Sequence, residues 1–118
     1  MMRIDRELMR GAGPVAVLKL LSKGEMYGYQ LVQALTERSA GVLDMGQSTL
    51  YPMLYNMESK GLVQSKWQET VSGRRRKYYE LTSKGKTRLA DDIKQWRALA
   101  GAMSNIGVLD TAPEGSGS

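Results

Sequence analysis

At 118 residues and 13.1 kDa the chain is the size of one domain and has no room for a second independent core. Cysteine and histidine are both absent, which excludes a disulfide scaffold, a thiolate metal site, cysteine catalysis and the commonest general base. Seventeen basic residues against twelve acidic ones leave a net charge of +5, a balance that suits a polyanionic partner.

Charges are scattered through Met1 to Arg10, and the longest uninterrupted apolar run is Val15 to Leu18. That is far short of the ~18 residues of a membrane span, so a cytoplasmic protein without membrane contact is expected. Gly13-Pro14 predicts the start of a first helix, because proline suits the first helical position. Val15, Val17, Leu18 and Leu21 give that helix a broad apolar face, and Gly24 ends it. A second helix is predicted from about Tyr27 to Arg38, with Leu31, Ala34 and Leu35 on one face. Ser39 to Gly46 reads as a glycine-bearing loop. The third helix is predicted from about Ser48 to Lys60. Leu50, Met53, Leu54 and Met57 fall at i, i+3, i+4 and i+7, Ser48 or Thr49 is positioned as a cap, and Pro52 is tolerated in the first turn.

After Gly61 the period changes. Leu62 to Trp67 and Lys77 to Leu81 are short β-prone runs, and the polar stretch Gln68 to Arg76, centred on Ser72-Gly73, joins them as a two-stranded hairpin with a long basic loop. Tyr78 and Tyr79 point to opposite faces, with Tyr79 grouped with Leu81 on the core side. Thr82 or Ser83 caps a last helix. In it Leu89, Ile93, Trp96, Leu99, Ala100, Met103 and Ile106 recur at steps of three and four. Glycine, serine, proline and two acids from Gly107 to Ser118 predict a disordered tail. The expected fold class is mainly α with a small β-hairpin, in the order of a winged helix-turn-helix followed by one more helix.

Charge is distributed unevenly over these elements. Between Lys60 and Arg88 there are nine basic residues, opposed only by Glu69 and Glu80, whereas the remainder of the chain is slightly acidic. The whole net charge is thus gathered about the hairpin, where Arg74, Arg75, Arg76 and Lys77 are candidates for phosphate contacts. Gln47, Ser48, Thr49, Tyr51, Tyr55 and Asn56 lie off the apolar stripe of the third helix. Their amides suit base edges and their hydroxyls suit phosphates or bases. Double-stranded DNA is therefore the expected partner, with a DNA-binding domain over residues 1–82, a dimerisation helix over 83–106 and a tail over 107–118. The apolar stripe of the last helix spans about 25 Å, more than a compact three-helix body covers. Leu89, Ile93, Trp96, Leu99, Ala100 and Met103 accordingly read as a homodimer interface. A protein-binding adaptor using that helix without DNA is the alternative, and the clustered positive charge argues against it. No catalytic residue, metal site or cofactor is expected, since the acids follow no catalytic spacing.

The segments "MYGYQLVQAL" (Met26 to Leu35), "STLYPMLYNMESKGLV" (Ser48 to Val63), "SKW" (Ser65 to Trp67) and "GRRRKYYELTSKG" (Gly73 to Gly85) together resemble the PadR family of bacterial transcriptional regulators, particularly its small members with one C-terminal helix. The tyrosine-proline inside the third helix, followed by Gly-Leu and Arg-Lys-Tyr-Tyr, is specific in combination. "YNMES" stands where the family usually has an arginine-leucine-glutamate run, and Arg75 where proline is common; Asn56 is thereby implicated in base preference. The resemblance implies a winged-helix dimer that binds palindromic operators, usually as a repressor. The third helix would enter the major groove and the hairpin would reach the minor groove or backbone, with the segment from Tyr27 approaching phosphates. Some relatives release DNA on binding phenolic acids or flat hydrophobic drugs, and Trp96 falls where a tryptophan lines a pore between subunits. A small aromatic or hydrophobic effector contacting Trp96 is implied on that ground.

Overall fold

The computed structural model describes residues 4–110. Along it run α1 (Arg6–Leu21), β1 (Met26–Tyr27), α2 (Gly28–Arg38), α3 (Gln47–Ser59), β2 (Val63–Glu69), β3 (Arg75–Leu81) and α4 (Ser83–Ile106). Four helices and a small antiparallel sheet are thus the winged-helix arrangement expected from the sequence, with four local differences.

First, α1 begins well before Gly13-Pro14. The Asp5 carboxylate accepts the Glu7 N–H at 2.8 Å and caps the helix there. Pro14 sits inside, where it forgoes one backbone bond. Gly13 is buried, and a Cβ there would lie 2.8 Å from Met53 Cε, so its absence leaves room for the end of the Met53 side chain.

Second, the N-cap of α3 is Gly46, so Ser48 and Thr49 lie in the first turn and do not cap it. Pro52 falls in the second turn and leaves the Ser48 carbonyl without its usual donor, at an exposed part of the helix.

Third, the sheet has three strands, in the order β1-β3-β2. Met26 pairs with Tyr79 and Tyr27 with Tyr78, so the short segment before α2 closes the free edge of β3.

Fourth, the hairpin strands are longer and their loop shorter than predicted. Pairing runs from Val63–Leu81 out to Glu69–Arg75. The turn is closed by Thr70 N–H to Arg74 C=O at 2.8 Å and Gly73 N–H to Thr70 C=O at 2.9 Å, with Gly73 at a positive φ of 86°. Gln68, Arg75 and Arg76 therefore belong to strands: a ladder of backbone bonds does not require apolar side chains where the hairpin leaves the core.

The core gathers Val17, Leu18 and Leu21 of α1, Leu31 and Leu35 of α2, Leu50, Leu54 and Met57 of α3, and Leu62, Val63 and Tyr79 about the sheet. Leu50 and Leu54, on the stripe predicted for α3, are completely buried. Truncating either to alanine would cost about 2–5 kcal/mol. This packing fixes which face of α3 turns outward.

Helix α4 is capped by Thr82, whose hydroxyl accepts the Gly85 N–H at 3.0 Å. It ends at Gly107 with φ of 100°, where Val108 N–H bonds Met103 C=O at 2.8 Å and Gly107 N–H bonds Ser104 C=O at 3.0 Å, a Schellman closure. Gly107 to Leu109, assigned to the disordered tail from sequence, thus fold back on the helix end. Residues 111–118 of that expected tail lie outside the described residues. Among the described residues, no helix is long and apolar enough to cross a membrane.

Candidate nucleic-acid interface

Leu50, Leu54 and Met57 anchor α3 in the core, so helical geometry turns Gln47, Ser48, Thr49, Tyr51, Tyr55 and Asn56 outward, and all six are exposed. They do not form one patch. Thr49 and Asn56 border an open groove of about 1060 Å³ between α1 and α3, with Met9, Pro14, Met45 and Met53 also in its lining. Tyr51 leans the other way: its hydroxyl lies against Gly28, where a Cβ would overlap it, and its Cζ would be 2.6 Å from that Cβ. Tyr55, 74% exposed, stands most freely of the aromatics on this helix. Gly46 offers no side-chain cap, so the first amides of α3 remain open to an acceptor.

Tyr27 is the N-cap of α2, and its N–H donates to Gln30 Oε1 at 3.1 Å. Its ring meets Tyr78 edge-on at 5.3 Å.

The four hairpin cations take different positions. Arg74 lies in the turn. Arg75 and Lys77 fall on the sheet face shared with Trp67, Ser65 and the buried Tyr79. This face carries α3, since the Ser65 hydroxyl donates to Glu58 Oε2 at 2.7 Å. Arg76 falls on the opposite face. Each of the three β3 cations rests on an aromatic ring: Arg75 over Trp67 at 5.4 Å, Arg76 over Tyr27 at 4.3 Å, and Lys77 over Tyr79 at 5.6 Å. Lys66 is partly neutralised, because its ammonium lies 3.2 Å from Glu25, and Gln68 Nε2 donates to the same carboxylate at 2.7 Å. The hydrogen bond from Gln68, then that from Lys66, holds the Glu25 carboxyl below its usual range, while Glu25 raises Lys66. Burial pushes the Tyr79 hydroxyl up, with the Glu58 charge adding to it. Trp67, Gly28 and Glu25 were not singled out for these roles from sequence. Their placement depends on the strand register and on β1, which no periodicity marks.

Of the six residues assigned to pairing on α4, Leu89 is buried and Ile93 is partly buried against the chain's own core, so neither is a free pairing residue in the single chain. Trp96 and Leu99 are 42% and 48% exposed, while Ala100 and Met103 are half-buried. Ile106, at 75%, prolongs the same apolar stripe. From Ala98 to Leu109 the chain carries no charged residue. An uncharged apolar helix face left in water marks an interaction surface.

The family model described as the transcriptional regulator PadR-like family matches residues 17–91. The Transcriptional regulator Rv3488 of Mycobacterium tuberculosis is 34% identical over 95 residues, which cover 80% of this chain and 85% of that protein. The crystal structure of a PadR family transcriptional regulator from Eggerthella lenta superposes with a TM-score of 0.74 at 34% identity, covering 85% of each chain. A transcriptional regulator from Clostridium thermocellum shares the fold with a TM-score of 0.79 at 23% identity, covering 88% of this chain and 98% of its own.

Proposed function

The chain belongs to the PadR-like family of transcriptional regulators, and from that premise we propose that it is a homodimeric, ligand-responsive repressor that binds a palindromic DNA operator. The observation that carries this reading is the run of four cations, Arg74 to Lys77, on the turn and β3 of a hairpin tied to α3 by the Ser65–Glu58 hydrogen bond. Residues 1–82 act as the DNA-binding part and 83–106 as the dimerisation helix. Gln47, Ser48, Tyr51 and Tyr55 approach base edges and phosphates in the major groove, with Thr49 and Asn56 on the α1 flank. Tyr27 and the cations Arg74 to Lys77 contact backbone phosphates on either side. Trp96, Leu99, Ala100 and Met103 pair two copies, and the α3 helices then sit about 34–36 Å apart to match half-sites one DNA turn apart. Trp96 and the partner's Trp96 bracket a flat aromatic or hydrophobic effector.

The test is fluorescence anisotropy of labelled DNA from upstream of the coding sequence, against scrambled DNA, over a range of salt. Tight binding of the native fragment alone, with a steep logarithmic salt slope, is expected. Equal, weak binding of both fragments favours the adaptor reading. Arg75→Ala is expected to weaken binding of all sequences alike and reduce the salt slope by about one. A selective loss at one operator position would instead assign Arg75 to base reading.

Gly28→Ala separates folding from recognition. The added methyl meets the outer end of the Tyr51 ring, which swings more cheaply than backbone. The expected outcome is a destabilisation of about 1 kcal/mol or less with a clear loss of DNA affinity, read by thermal unfolding and anisotropy. Unchanged affinity would remove Tyr51 from the interface.

A further inference from the structure

We infer that Trp67 is a positioning residue for Arg75: its indole holds the guanidinium on the α3 side of the hairpin, so that the cation meets a DNA phosphate already oriented. The inference rests on the DNA-binding role proposed above.

Trp67 is 58% exposed on a strand that has left the core, so packing alone does not account for it. Arg75 is directly opposite Glu69 in the ladder, where a cross-strand ion pair is the obvious alternative. Among the described residues no ion pair forms between them within 4.0 Å. The guanidinium reaches diagonally to the indole instead, 5.4 Å from its centroid. A cation held by a ring rather than a carboxylate keeps its full charge, and its N–H donors remain available for an anion. Holding it in advance also reduces the rotamer freedom lost when a phosphate binds. The Ser65–Glu58 hydrogen bond ties this sheet face to α3, so the two surfaces keep one relative orientation.

A double-mutant cycle tests this. The probe is a fluorescein-labelled duplex selected by the wild-type chain from a randomised library. Its dissociation constant is measured over a salt series for wild type, Trp67→Ala, Arg75→Ala, the double variant, Trp67→Phe and Trp67→Leu. Trp67→Ala is expected to weaken binding about two- to five-fold and to lower the salt slope. In the Arg75→Ala background it adds nothing further. Trp67→Phe restores most of the affinity and slope, whereas Trp67→Leu, which keeps apolar bulk without a ring, does not. Effects of Trp67→Ala and Arg75→Ala that multiply would overturn the inference, as would rescue by leucine or an unchanged slope in Trp67→Ala. A normal defect in Arg75→Ala beside a multiplicative cycle rejects the positioning role alone. An Arg75→Ala chain that binds like wild type rejects Arg75 as a DNA contact, and the positioning role with it.

Discussion

Gly85→Ala is expected to destabilise the protein by about 2–3 kcal/mol, a fall in Tm on the order of 10 °C at fixed protein concentration. Gly85 lies in the first turn of α4, and a Cβ there would overlap the Leu62 carbonyl oxygen and stand 3.1 Å from Leu81 Cδ2. That carbonyl cannot easily withdraw. It accepts the Thr82 N–H at 3.1 Å, and the Thr82 hydroxyl donates to Gly61 C=O at 2.6 Å. Thr82 also caps α4, so one cluster joins the end of α3, the start of β2 and the start of α4. Alanine is the better helix former by about 1 kcal/mol, which opposes the clash. Backbone overlap at a buried site outweighs that gain. Gly101 provides the comparison: it lies off the apolar stripe, and a Cβ there would meet nothing within 4 Å. Gly101→Ala should therefore stabilise by about 0.5–1 kcal/mol. Thermal unfolding followed by circular dichroism reads both variants. Equal gains from the two would show that α4 is not tethered through Gly85.

Why some features were legible in the sequence and others were not follows from what each depends on. The α3 stripe and the inward Tyr79 depend on helical and strand periods, and burial enforces both. The Thr82 cap depends on a local side chain that reaches a nearby amide. Met26–Tyr27 is a strand only because β3 lies beside it, and two residues carry no period. The outer hairpin has no core against which to alternate, so Gln68 and Arg76 read as loop although the backbone pairs them. The start of α1 was obscured by Gly11, Gly13 and Pro14, all poor helix formers. Tertiary packing overrides that propensity, since the bare Gly13 backbone fits beside Met45 and Met53. At the candidate interface, residue types sufficed to select α3 and the cations. Which cation faces which way required the register. A hairpin closed by Thr70 to Arg74 puts Arg75 diagonal to Trp67, whereas the longer predicted loop leaves Arg75 outside the strands.

Leu99→Asp is expected to dissociate the proposed dimer without unfolding the chain. In the single chain Leu99 is 48% exposed and lies on the uncharged part of α4, beyond the half-buried Ile93 that packs against the core. A carboxylate there costs the monomer little, because it remains in water. In a two-fold interface each substitution appears twice, once on each subunit. Two unpaired carboxylates drawn into an apolar contact, at about 2–3 kcal/mol each, weaken association roughly 10³–10⁴-fold. DNA binding falls with it, because a monomer engages one half-site and loses the effective concentration that the second recognition helix gains from the first. The affinity for a palindromic operator should drop at least about 100-fold, while the residual binding keeps a shallower salt slope from fewer phosphates. Sedimentation velocity at micromolar concentration and circular dichroism distinguish the outcomes. A folded monomer with weakened operator binding supports pairing through Trp96, Leu99 and Met103. A folded dimer that still binds the operator tightly would move the interface off this stripe and leave its exposure without a partner copy to explain it.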